Sequence, residues 1–207
     1  MFHGRDDEMK RGFDALLASV GLVLSAPVWL VCAALIKLED GGAVFYTQER
    51  VGRRGRVFQA LKFRSMQPDA ERRTGPLQAR AGDARVTRVG RIMRATAMDE
   101  LPQLWNILCG DMSFVGPRAL RPGEIENEGD ALVPLEAVPG YAHRITVRPG
   151  LTGIAQVYAP RDISRRNKFK YDALYVRRRS FVLDLRLILV SFWISFRGTW
   201  ESRGRKY

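Results

Sequence analysis

Cysteine and histidine are almost missing from this 207-residue chain, with two of each. Cys32 and Cys109 fit no metal-ligand spacing and no disulfide framework, and read as inert thiols in a reducing compartment. His3 and His143 complete neither a Ser/His/Asp arrangement nor a zinc site. Acidic residues are also scarce, 22 against 34 Lys and Arg, which leaves a formal net charge of +12. That surplus favours a polyanionic partner, and nucleic acid, an anionic lipid surface and a diphosphate all qualify. Internal repeats and low-complexity tracts are lacking. Only one long uncharged apolar run is present, which excludes a multi-span membrane protein, and a 46% hydrophobic composition excludes a disordered chain.

The apolar run extends from Ala15 to Ile36 without a charge. Roughly 22 residues exceed the ~20 needed to cross a bilayer core. Asp6, Asp7 and Glu8 ahead of it argue against a signal peptide. Pro27 stands near its middle, two residues after Ser25. Proline removes a helical hydrogen bond, and a serine hydroxyl can satisfy the carbonyl so freed, which predicts a kink or break at Ser25 and Pro27. Two geometries follow. One is a single kinked span; the other is a re-entrant helix-break-helix that enters and leaves on the same side, compatible with Lys10, Arg11 and Lys37 at its ends.

The division expected is a tail over 1–12, a membrane element over 13–38 and a catalytic domain over 39–207. In that domain Val44–Thr47 and Val57–Phe63, rich in β-formers, flank the basic turn Arg50–Gly55 and predict a small β-hairpin. Pro68–Asp83 reads as a mobile polar loop, and Val86–Met93 opens a helical pattern. A helix is predicted over Asp99–Cys109, with acids in its first turn and Gly110 as its stop. The acidic, proline-broken Pro122–Tyr141 reads as a surface loop or short helix. Phe181–Phe196, followed by a basic tail, suits a helix lying in the membrane interface. The fold class is therefore α+β, mostly helical.

Three groups could carry chemistry. Asp99-Glu100 has the ordinary reading of a helix cap. The functional reading is an ionised carboxylate, held so by the helix N-terminus, serving as nucleophile or hard-metal ligand. Adjacent helical residues point apart, so the two acids should divide their roles. Arg85, Arg88, Arg91 and Arg94 recur every three residues along one side of a helix, and Arg118 follows Gly116-Pro117. Arg94 and Arg118 bracket the acidic pair and are the better candidates for phosphate contact, whereas a solvated stripe accounts for the others. Lys62 and Arg64 alternate along a strand and could face a common anion. His143, Arg144 and Arg148 form a third basic cluster.

In chain order these segments carry a resemblance. Phe13-Asp14, the run with Pro27, Gln48–Gly55, Lys62–Met66, Asp83–Gly90, Asp99–Asn106, Gly110–Arg118 and Arg148–Gly153 together resemble the bacterial sugar transferase family of small monotopic polyprenyl-phosphate phosphoglycosyl transferases. The likeness covers about Lys10 to Ser195. It implies a re-entrant helix broken at Ser25/Pro27 and amphipathic interfacial helices at the cytoplasmic face of a bacterial inner membrane. It implies that Asp99 attacks the β-phosphate of a UDP-sugar, releasing UMP, and that polyprenyl phosphate (undecaprenyl phosphate) then takes the sugar-phosphate from the enzyme. It implies Mg²⁺ held at Asp99, Glu100 as the second member of the dyad, and Arg118 on phosphate. Lys62, Arg64, Arg94 and Arg148 join Arg118 as phosphate-binding candidates, and Asp172 aligns with a family acid, a structural salt bridge being the alternative. The phospholipid bilayer is a further partner, no nucleic acid is expected, and a homodimer is left open. Ala119, Ile154 and Tyr158-Ala159-Pro160 depart from the family pattern outside the dyad and bear on sugar choice. A membrane-tethered basic module binding nucleic acid or lipid is the competing function; it explains the charge and the anchor but not the ordered central block.

Overall fold

The computed structural model describes residues 3–68, 70, 83–128, 131–160 and 163–200. Helix α1, His3–Asp40, is about 57 Å long at the standard rise and lies against the rest of the protein along its length. Ala18 and Leu22, one turn apart, join the core cluster of Leu104, Ile107 and Met112. Further along, Cys32 and Ile36 pack with Phe63 and Met93, and the Trp29 ring meets Phe63 edge-on at 5.4 Å. The ends are tied by charge. Asp7 pairs with Arg53 and Arg179, and Lys10 with Asp184. At the other end Glu39 accepts the backbone N–H groups of Arg88 and Val89, and Asp40 pairs with Arg64. The opposite face of α1 exposes Leu16, Val20, Val23, Leu24, Leu30, Val31 and Leu38.

The helix runs through Ser25 and Pro27 without an interruption of its secondary structure, where a kink or break was expected. One proline removes one hydrogen bond, and packing on both sides of it holds the helical path. The Ser25 hydroxyl donates to the Leu22 carbonyl at 3.4 Å rather than to that of Val23, which Pro27 leaves without its helical donor.

The expected hairpin is present: β1 (Phe45–Val51) pairs antiparallel with β2 (Val57–Phe63), Phe45 opposite Phe63 and Val51 opposite Val57. Helix α2, Arg88–Ala95, is capped by the Thr87 hydroxyl, which accepts from Gly90 N–H at 2.9 Å. It is shorter than the arginine spacing suggested, and Arg85 lies outside it in a local pair with Asp83. Helix α3 (Gln103–Cys109) leads into β3 (Ser113–Val115). The acidic stretch, expected as a surface loop or short helix, forms a second hairpin, β4 (Ile125–Glu128) with β5 (Ala131–Pro134), and then a short 3-10 helix over Leu135–Ala137. Most of Pro68–Asp83, expected as a mobile loop, lies outside the described residues.

After α4 (Tyr141–Arg144), β6 (Gly150–Thr152) pairs parallel with β3. The contact is backbone to backbone: a Cβ on Gly116 would lie 2.3 Å from the Arg148 carbonyl oxygen, and one on Gly150 would lie 2.0 Å from Gly116 N. Two turns far apart in sequence thus touch, and Arg118 bridges to Gly150. Helices α5 (Ile154–Tyr158), α6 (Arg165–Arg178) and α7 (Phe181–Phe196) complete the chain. The Tyr175 hydroxyl of α6 lies within hydrogen-bonding distance of both Val115 O, at 3.0 Å, and Asp184 Oδ1, at 2.9 Å, joining α7 to β3. Leu187 and Ile194 of α7 are buried, while Phe181, Val182, Leu189, Phe192 and Phe196 are exposed, so α7 is apolar on both sides. The α+β, mostly helical class holds.

Candidate active site

The Asp99–Cys109 helix expected from sequence is two elements. Ala97, left-handed at φ 57°, opens a 3-10 turn over Met98–Glu100, and Pro102 then caps α3. Proline has no N–H for the preceding turn, so the α-helical ladder starts only after it. A non-glycine residue held at positive φ is strained, and such strain gathers at functional sites. Here it sits two residues before Asp99.

Asn106 sets the depth of the site. Its side-chain amide donates to Gln59 O at 2.8 Å and accepts from Leu61 N–H at 2.9 Å, clamping β2 onto α3. The clamp brings Lys62, the next residue of β2, to Glu100: Lys62 Nζ donates to Glu100 Oε1 at 2.5 Å. Arg118 Nη2 reaches the same oxygen at 2.8 Å from the Gly116–Gly150 side. Lys62 and Glu100 are partly buried, their side chains 15% and 14% exposed, whereas that of Arg118 is 47% exposed.

A narrow cavity opens at this cluster. Arg50, Lys62 and Arg118 line it together with Glu100 and Gln103, over a floor that includes Ala60, Met112 and Gly150. Three cations face one lining carboxylate. Arg50 comes from the hairpin, donating to Ala119 O at 2.9 Å and to Gln48. Burial, with Arg118 and Arg121 close by, lowers its pKa to about 10, so it stays charged.

The two acids do divide their roles. Burial works to raise the Glu100 pKa, but Arg118 and Lys62 outweigh it and hold the carboxyl well below the usual range. Asp99 moves the other way. Burial lifts it to about 6, against the pull of Lys62, Arg94 and Arg118. The expectation that a helix N-terminus depresses Asp99 is therefore corrected: no α-helix starts there, and desolvation dominates. Among the described residues none donates a hydrogen bond to Asp99 or forms an ion pair with it. Its carboxylate is therefore more basic than one in water.

Of the other residues singled out from sequence, Arg94 lies near enough to Asp99 to stabilise its charge. Arg64 is elsewhere. Strand β2 ends at Phe63, so alternation with Lys62 stops there, and Arg64 grips Asp40 and the carbonyls of Ala43 and Met66. Arg148 donates to Gly110 O at 2.9 Å, with Arg53, Arg11, Asp14 and Asp7 as its charged neighbours. Asp172 forms a buried ion pair with Arg144 at 2.9 Å, and Arg144 also donates to Arg118 O. Asp172 thus supports the Arg118 turn from behind, the salt-bridge alternative. Arg50 and Gln103 were missed as site residues. Both stand in motifs quoted for the resemblance, but neither spacing nor charge distinguished them.

For a hard cation the site offers little protein. Among the described residues no group of three or more His, Cys, Asp or Glu could hold a metal ion. With Glu100 engaged by Lys62 and Arg118, Asp99 is the carboxylate left over. That fits magnesium, which keeps several waters and completes its shell with substrate phosphates.

The protein thus combines an exposed apolar surface on α1 and α7 with a cavity lined by three cations and a buried acid close by. Residues 5–198 match the family model described as bacterial sugar transferase, and the chain belongs to that family of transferases. It is 38% identical over 193 residues to the exopolysaccharide production protein ExoY of Rhizobium meliloti (strain 1021), covering 86% of this chain and 81% of that protein. It is 42% identical over 190 residues to the UDP-glucose:undecaprenyl-phosphate glucose-1-phosphate transferase of Caulobacter vibrioides, covering 88% of this chain and 68% of the relative. The UDP-N-acetylgalactosamine-undecaprenyl-phosphate N-acetylgalactosaminephosphotransferase of Aeromonas hydrophila is 40% identical over 183 residues, covering 87% of this chain and 42% of that longer protein.

Proposed function

We propose that this chain transfers a sugar-1-phosphate from a UDP-sugar to undecaprenyl phosphate through a covalent intermediate on Asp99. The observation that carries the reading is a buried, unpaired Asp99 beside a carboxylate already engaged by two cations. One acid is free to react and the other holds the cations that receive the phosphates. An Asp99 oxygen attacks the β-phosphorus, the bond from that phosphorus to the bridging oxygen breaks, and UMP leaves with the oxygen. An undecaprenyl phosphate oxygen then attacks the same phosphorus, the bond to Asp99 breaks, and the carboxylate returns. Arg50, Lys62 and Arg118 neutralise the oxygens in both steps, which is the main task of a protein in phosphoryl transfer. Magnesium, when bound at Asp99, supplies further neutralisation of the diphosphate. The named relatives differ in sugar, so the donor is proposed as a UDP-sugar without a single sugar assigned.

The membrane reading rests on α1. Both its ends and its middle are tied to one domain, while its outer face and that of α7 are apolar and exposed. A helix threaded across a bilayer would carry one end away from a domain on the other side. The contacts therefore support an element embedded from the cytoplasmic face with both ends on that side, and a reaction at headgroup depth.

With radiolabelled UDP-sugar and magnesium, label is expected on the protein, and in extractable lipid once undecaprenyl phosphate is added. Asp99→Asn abolishes both. Turnover by Asp99→Asn at the wild-type rate removes the nucleophile assignment, and a protein that never labels or transfers favours the basic binding module.

A further inference from the structure

We infer that Gln103 is a substrate-binding residue whose side-chain amide donates a hydrogen bond to a phosphoryl oxygen of the bound diphosphate. The inference rests on the function proposed above and adds a neutral donor to its cationic cavity. Gln103 is the first residue of α3, is 5% exposed, and lines the cavity with Arg50, Lys62 and Arg118. Its amide nitrogen is shut off from solvent and has no hydrogen-bond partner among the described residues. A buried polar group without a partner destabilises the protein that carries it, and such groups persist where something else completes them. Here the wall it belongs to names the completing group. An acceptor drawn in by three cations is an anionic oxygen, and a neutral N–H on a packed helix beside it fixes its position without adding charge. Asn106, one turn further along α3, anchors that helix to β2 through two hydrogen bonds, so the donor is held rather than mobile.

Removing a side chain that pays its role only to ligand should leave the free protein intact. Full-length protein in lipid nanodiscs is melted alone, with UDP and with inorganic pyrophosphate, and its transfer kinetics are measured. Gln103→Met, of similar length and apolar, is expected to melt at or above the wild-type temperature without ligand. It should bind UDP and pyrophosphate about 10- to 100-fold more weakly, the range for a hydrogen bond to a charged group. Gln103→Glu should bind more weakly still, because it sets a carboxylate against phosphate. Wild-type affinity in Gln103→Met overturns the proposal, as does a variant that melts well below wild type, since the amide would then serve the fold. Pyrophosphate binding retained while UDP binding falls assigns Gln103 to the nucleoside and also overturns it. If wild type itself binds neither probe and transfers no sugar-phosphate, the proposed function fails instead.

Discussion

Glu100→Gln tests the idea that one carboxylate neutralises a buried cation and so organises the cavity. The substitution keeps shape and one acceptor but removes the charge that Lys62 and Arg118 share. The Lys62 arm is mostly shielded from solvent on both sides, and removing one partner of a buried pair costs about 3–5 kcal/mol. The Arg118 arm is half exposed and screened, adding at most about 1 kcal/mol. For a chain of this size each kcal/mol moves the melting point by about 2–4 °C, so a fall of roughly 6–24 °C is expected. Activity should fall about 100-fold, the scale for losing a preorganised donor array. Pairing the change with Lys62→Met removes both buried charges and should recover most of the stability, because a buried pair and an apolar replacement are often near equal. Activity should not return. Thermal melting and initial rates of UMP release on the single and double variants decide the matter. A single variant that melts within about 2 °C of wild type would mean that Lys62 does not depend on Glu100, and the account of the cavity would be wrong.

Three further outcomes follow from other parts of the molecule. Burial raises the Asp184 carboxyl above its ordinary pKa although Lys10 and Tyr175 favour its charged form. The folded state then binds more protons than the unfolded one, so this group's contribution is full below about pH 4 and is lost as pH rises through the folded value; Asp184→Asn should flatten that slope in urea unfolding. Gly116→Ala should prevent the β3–β6 pairing, since its Cβ would meet the Arg148 carbonyl at 2.3 Å, and limited proteolysis should cleave the variant faster than wild type. Tags at Met1 and at the Gly41-Gly42 turn should both be shielded from impermeant reagents in intact cells, and labelling of either from outside would contradict the membrane reading.

Much of the site was readable because its residues stand in short motifs. Asp99, Glu100, Lys62 and Arg118 were all singled out, and the last three meet within hydrogen-bonding distance. Arg64 misled because alternation was carried one residue past the end of β2, where backbone direction changes. Arg50 and Gln103 gave no signal of their own. An arginine in a basic turn looks solvated, and a glutamine early in a helix looks exposed, until packing puts each on a cavity wall.

Composition and order along the chain were enough to determine a single long apolar run, a β-hairpin, a surplus of basic charge and the family, since these depend on local periodicity and charge. The path of α1 through Pro27, the parallel β3–β6 contact and the opposite pKa shifts of two adjacent acids were settled by tertiary structure alone. Each depends on groups distant in sequence that burial brings together, and the cost of desolvating a charge is set by those neighbours rather than by the residue beside it.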